Sequence, residues 1–191
     1  MENRSLLYTV SSRYAVSFAA YFIAIFTVMN YVLKTGYAAG APLGMLLLIP
    51  VLCYFYTKLY RNRYTGGYIT FLHSWVFNVM LFVFAGLLFA FYQYIYTRYI
   101  DPGHISWVLE ILQQNVQALI DALPKESQSA ELKTWSRQLE ELPVPTPIEM
   151  AVSTLGSMFY GGFFVALIVA LFTKKKPLTP LHREMEAESR D

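Results

Sequence analysis

The sequence predicts an all-α membrane protein with four transmembrane helices and an extracytoplasmic helical hairpin between the third and fourth. Three observations predict it. First, four long stretches lack Asp, Glu, Lys and Arg: Arg13 to Lys34 encloses 20 residues, Lys34 to Lys58 encloses 23, Arg63 to Arg98 encloses 34 and Glu149 to Lys174 encloses 24. A bilayer core about 30 Å thick is crossed by about 20 mainly apolar helical residues. Second, the 191 residues are 55% hydrophobic, 17% aromatic and only 15% charged, which is too apolar for an ordinary soluble domain. Third, the basic residues cluster at alternate ends of the apolar runs.

That third observation sets the orientation. With the N-terminus inside, the inside segments hold Arg4, Arg13, Lys58, Arg61, Arg63, Lys174, Lys175, Lys176, Arg183 and Arg190, ten of the fifteen basic residues. The outside holds Lys34, Arg98, Lys125, Lys133 and Arg137. Short, compact basic flanks dominate topology, so both termini are expected in the cytoplasm. Arg4 and Arg13 before an apolar run, with Ala39-Gly40-Ala41 after it, could suggest a cleaved leader. The run exceeds the about 7–15 residues of such a leader's apolar core, and the first span is expected to stay.

The first three spans, within residues 1–100, are expected at about 14–33, 42–57 and 70–99. Tyr14, Phe18 and Tyr31 place aromatic rings near both ends of the first span, at headgroup depth. Pro42 suits the first turn of the second, and Pro50 should kink its middle. The loop YRNRYTGG ends in Gly66-Gly67, a break before the next helix. The run Tyr68 to Ile100 is longer than the bilayer is thick, so Tyr68–Trp75 reads as an interfacial lead-in. Tyr92, Tyr94, Tyr96 and Tyr99 form an aromatic belt at the far end.

Residues 101–147 hold seven acidic and three basic residues. Asp101 is placed to cap a new helix with Pro102 at its first position. Ile105, Val108, Leu112, Val116, Leu119 and Leu123 then form one helical stripe. Leu123-Pro124 ends it. Ser129 is placed to cap a second helix carrying Leu132, Trp135, Leu139 and Leu142. A stiff linker, Pro143 to Pro147, leads to the fourth span at 148–173. Ser153, Ser157 and Gly161 form one small-residue ridge and Gly162, Ala166 and Ala170 an adjacent one. Such ridges let membrane helices pack closely, and Ser153, Ser157 and Gly161 are taken as the packing face, against the other spans or, alternatively, between two copies of the chain. Residues 174–191 form a polar cytoplasmic tail.

Ionisable residues inside a span are functional hypotheses by default, and here His73 stands almost alone, near the inner interface, where a hydrogen-bonded role suits it. Asn30, Asn78 and Gln93 are expected to bond helix to helix. Cys53 is expected to be a small buried apolar residue. No metal-ligand spacing, phosphate loop or nucleophile elbow is present, so no catalytic residue, metal or cofactor is expected. An enzyme would need Asp101, His104 and Glu110 to converge. The basic clusters Lys58, Arg61, Arg63 and Lys174, Lys175, Lys176 are suited to anionic lipid contact. A net charge of +2 argues against nucleic acid as a partner.

GGYITF at 66–71 and IYTRYIDPGHISWVLE at 95–110 carry a resemblance. With the layout around them they resemble the bacterial membrane family catalogued as domain of unknown function 4199, found mainly in Bacteroidota. The resemblance implies a Gly-x-Ile-x-Phe start to the third span, a Tyr-Ile-Asp-Pro exit, an acidic helical segment outside and a final span. It marks Gly67, Ile69, Phe71, Tyr99, Asp101 and Pro102 as recurrent positions and implies no activity. The expected function is a non-enzymatic accessory or assembly subunit of an envelope complex in the bacterial inner membrane. Its partners are lipids and a membrane protein or further copies of itself. The alternative is a small oligomeric transporter or channel, with Pro50 and Gly66-Gly67 as moving parts.

Overall fold

The computed structural model describes residues 2–35, 40–122, 134 and 143–175. They form α1 (Glu2–Thr35), α2 (Ala41–Tyr64), α3 (Phe71–Ile95), a π-helical turn (Tyr96–Ile100), α4 (His104–Ala122) and α5 (Pro147–Thr173). Among the described residues the only other pairing is a single antiparallel bridge between Ile69 and Lys175. Four helices are long and apolar enough to cross a membrane: Leu6–Thr35, Ala41–Tyr64, Phe71–Ile100 and Pro147–Thr173. The protein is therefore an all-helical, multi-pass membrane protein. Apart from residue 134, the expected second hairpin helix, from Ser129 to Leu142, lies outside the described residues, as does the tail from Lys176 onward.

The helices begin and end where the local chemistry dictates. α1 starts a dozen residues earlier than expected, because the buried Leu7, Val10 and Ser11 continue its packed face beyond Arg13. α2 begins with Pro42 near its start and runs through Pro50 without a break to Tyr64. Arg61 and Arg63 lie in its last turn, where a helix dipole favours positive charge. The chain then reverses through Gly66 at φ 62° and Gly67 at φ 87°, backbone that residues with a Cβ rarely adopt. α3 starts at Phe71, so Tyr68 and Ile69 belong to the loop rather than to a helical lead-in. α5 opens on a reciprocal capping box: the Thr146 N–H donates to Glu149 Oε2 at 2.7 Å and the Glu149 N–H to Thr146 Oγ1 at 3.4 Å.

The chain divides into two compact units: Met1–Phe89 with Thr154–Asp191, and Ala90–Ser153. In the first, α3 is the central helix. Half of its most apolar stretch is buried, against 28% for α1, 17% for α2 and 22% for α5. Phe82 of α3 meets Phe18 and Phe22 of α1, and Phe77 stacks on Tyr60 of α2 with ring centroids 4.4 Å apart. Against α5, Trp75 packs edge-on to Phe163. Gly162 leaves so little room that a Cβ there would overlap the root of the Phe82 side chain.

Within the chain, the last span packs through the second ridge rather than the first. Ser153, Ser157 and Gly161 are exposed, and a Cβ on Gly161 would meet nothing within 4 Å. Gly162, Ala166 and Ala170 are buried. The two ridges are equally small; the face is decided by the aromatic Phe82, which fits only against a glycine.

In the second unit, Asp101, Pro102 and Gly103 form a turn, with the His104 N–H donating to the Asp101 carbonyl at 3.0 Å. α4 begins at His104 rather than at Pro102. Asp101 thus closes the preceding π turn, its N–H donating to the Tyr96 carbonyl at 2.8 Å, and does not cap α4 from the expected position. The expected stripe on α4 also shifts: Ile105 and Ile120 are buried, whereas Leu112 is exposed.

Candidate functional site

Where α2 ends and α3 begins, buried polar side chains bond across helices. Thr57 on α2 donates to the Cys53 carbonyl one turn back, at 2.8 Å, which turns its oxygen lone pairs toward α3. There Asn78 Nδ2 donates to Thr57 Oγ1 at 2.8 Å and to the Ser74 carbonyl at 2.8 Å. Ser74 in turn shares a 2.6 Å hydrogen bond with Thr173 Oγ1 of α5, which also bonds the Val169 carbonyl. Three helices are thus joined by short hydroxyl and amide side chains. Membrane helices use such groups because lipid offers no competing partner.

Toward the end of the helices the network becomes charged and aromatic. Arg61 Nη1 donates to the Thr173 carbonyl at 3.1 Å. That carbonyl is one of the unsatisfied acceptors at the α5 terminus, so the guanidinium caps the helix and meets the negative end of its dipole. Beyond Thr173, the Ile69 N–H donates to the Lys175 carbonyl at 3.1 Å and the Lys175 N–H to the Ile69 carbonyl at 2.9 Å. Ile69 itself is buried in a cluster with Val10, Tyr60 and Phe77. The Tyr60 hydroxyl lies 2.8 Å from His73 Nε2. Thr70, the residue before α3, accepts the His73 N–H at its Oγ1. A cleft of about 460 Å³ opens beside this corner, lined by Tyr64, Thr65, Tyr68, Ile69, Thr70, His73 and Lys175.

The sequence-marked residues are placed as follows. Gly67, Ile69 and Phe71 supply the reversal, the buried anchor and the first residue of α3. Of the two basic clusters, Arg61 and Lys175 come to the same corner, while Lys58, Arg63 and Lys174 are exposed. Lys176 lies outside the described residues. His73 and Asn78 take the hydrogen-bonded roles expected of them. Cys53 is buried.

In the second unit, Asp101 Oδ2 lies 3.7 Å from His104 Nδ1. Glu110 does not join them; its carboxylate bonds Gln114 along α4 at 3.4 Å. His104 is buried, with Tyr96 edge-on to its ring and Trp107 tilted against it. Tyr99 and Pro102 are exposed. No cluster of three or more His, Cys, Asp or Glu side chains suited to a metal ion occurs among the described residues.

Sequence reasoning missed Thr57, Ser74, Thr173 and Tyr60. The signal was faint: in each span a small hydroxyl looks like any other small residue, and only the three-dimensional register shows that Ser74 faces Thr173.

The family described as Protein of unknown function (DUF4199) matches residues 13–175, which include every residue of the network and the cleft. The chain belongs to the DUF4199 family. No curated protein and no solved structure matches it. In the Gly67 to Phe71 segment, Ile69 pairs with Lys175, the last residue that the DUF4199 match covers.

Proposed function

We propose that the protein is a non-enzymatic accessory or assembly subunit of a larger envelope complex. In this reading it lies in the bacterial inner membrane, with both termini cytoplasmic and residues 101–147 outside. The carrying observation is how the buried polar side chains of the first unit are used. Thr57 with Asn78, Ser74 with Thr173 and Tyr60 with His73 bond to one another across helices. Groups spent on joining helices hold a scaffold together; a transport path needs such groups turned toward water. The apolar exterior of α2, with Leu43, Leu47, Val51 and Phe55 all more than half exposed, supports a role against lipid or a membrane-protein partner.

Purification in mild detergent tests this reading. A distinct membrane protein should co-elute at fixed stoichiometry. A homo-oligomer with a water-accessible axis, probed by cysteine labelling along α2 and α3, would instead make the protein a transporter or channel. Topology reporters after Arg63 and Lys176 should read cytoplasmic and one near Lys125 periplasmic; a cytoplasmic signal at Lys125 removes the orientation.

A further inference from the structure

We propose that the cleft between the α2–α3 loop and Lys175 is a binding site for a phosphate group at the membrane surface. The inference rests on the cleft and stands whether or not the protein is an assembly subunit.

Four features support it. The cleft holds about 460 Å³, enough for a headgroup-sized ligand. Its lining contains one cation, Lys175, and no carboxylate. Thr65 spends its hydroxyl proton on the Arg61 carbonyl, but Thr70, Tyr68 and His73 in the same lining can donate. Thr70 Oγ1 accepts the His73 N–H, leaving its own hydroxyl proton to give. Tyr68 adds a phenol. His73 is held at Nε2 by the buried Tyr60 hydroxyl, at 2.8 Å, so Nδ1 is the ring nitrogen left to meet a ligand. An anion selects the tautomer in which Tyr60 donates to Nε2 and Nδ1 carries the proton. Finally, the site is built before any ligand arrives. Two backbone bonds fix Lys175 to Ile69, and the Gly66-Gly67 reversal fixes the loop. The lysine is therefore aimed by backbone on both sides rather than carried on a free tail, which lowers the ordering cost of binding.

Depth favours a phosphate ester over other anions. The lining residues lie between the ends of membrane-spanning helices, from Tyr64 at the end of α2 to Lys175 two residues past α5. That is the level at which lipid phosphates lie, and tyrosines such as Tyr64 and Tyr68 belong there too. The shared chemistry is a phosphate carried by an acidic lipid headgroup or by a soluble phosphate.

The test uses the full chain in nanodiscs of phosphatidylcholine with a minor fraction of phosphatidylglycerol. Bound lipid is counted by native mass spectrometry after release. The Lys175 side chain is exposed and its ties run through the backbone, so K175Q should keep the wild-type elution volume and unfolding temperature. One lysine at a membrane surface contributes about a fivefold change in anionic binding. K175Q should therefore lower phosphatidylglycerol retention about fivefold or more, K175R should restore most of it, and K174Q, one residue outside the lining, should change it less than about twofold. H73Q should weaken retention in the same direction as K175Q. A second arm adds inorganic phosphate to the detergent-solubilised chain. Stabilisation of the wild type by phosphate, lost in K175Q, assigns a bare phosphate; stabilisation by phosphatidylglycerol alone assigns a lipid. Both support the site. Equal losses in K174Q and K175Q would mean diffuse attraction by surface charge, and unchanged retention in K175Q would mean no site; either result overturns the proposal.

Discussion

The protein reverses direction at Gly66-Gly67 and again at Asp101-Pro102-Gly103, and it secures the two reversals differently. The first is tied to distant sequence. Arg61 caps a carbonyl 112 positions away, at Thr173, and Ile69 pairs with Lys175. The second is held locally, by Asp101 N–H to the Tyr96 carbonyl and His104 N–H to the Asp101 carbonyl. A local turn forms whenever its own residues are present. A corner closed by remote residues forms only after α5 has inserted and packed on α3. The α2–α3 loop thus reports on completion of the bundle, which a site built there would inherit.

The comparison breaks most readily at Gly162. Gly162→Ala puts a Cβ into Phe82, whose own Cβ and Cγ have no freedom to swing aside. Overpacking of this kind costs about 1–3 kcal/mol, and it should loosen α5 from α3. Thermal unfolding in detergent should shift down accordingly. Gly161→Ala, one residue away and facing open space, should leave the transition unchanged. Equal effects at both positions would mean that the face of α5 is assigned wrongly.

A smaller effect is expected from the hydroxyl pair that joins α3 to α5. Thr173→Val keeps the shape and removes the partner of Ser74 Oγ, held at 2.6 Å. Interhelical hydrogen bonds in membranes are worth about 0.6 kcal/mol on average and at most about 1.7. Ser74→Ala should cost a similar amount, and the double variant should cost less than the sum, because the second change removes a group already orphaned. Strict additivity of the two losses in unfolding measurements would show that the bond does not couple the helices.

How much of this was legible in the sequence follows from what each feature depends on. Apolar run length and basic clustering are local, so the number of spans and the membrane class could be read directly. Gly66-Gly67 also announced itself, since positive φ is a demand on one residue at a time. Asn78 and His73 stood out because polar groups are conspicuous in apolar runs. The face of α5 that packs within the chain was hidden, because Ser153, Ser157 and Gly161 are as small as Gly162, Ala166 and Ala170, and only Phe82 on another helix distinguishes them. The pairing of Ile69 with Lys175 and the capping of Thr173 by Arg61 depend on register between segments far apart in sequence, which no periodicity encodes. Arg61 read as one more topology charge; its second task is visible only beside the end of α5.

The smallest expected effect is at the local corner. The sequence suggested that Asp101 caps the following helix with its carboxylate; in the structure α4 starts at His104, and the two bonds that secure the turn use the Asp101 backbone. The carboxylate lies 3.7 Å from His104 Nδ1 and is partly exposed. At 3.7 Å the contact is longer than a hydrogen bond, and the carboxylate keeps access to water although His104 is buried, so it contributes little. Asp101→Asn preserves both backbone bonds and a polar atom near the histidine, so the unfolding transition should move by less than about 0.5 kcal/mol, the range of ordinary surface changes. Pro102→Ala should act as weakly, since Pro102 is exposed and lies outside the helix. A large loss of stability in Asp101→Asn would show that the carboxylate carries the corner and that the contrast with the α2–α3 loop is false. Wild-type stability with loss of the cellular phenotype would point elsewhere. The negative charge would then matter in itself, and a transport or catalytic role at Asp101 and His104 would gain ground over the scaffold.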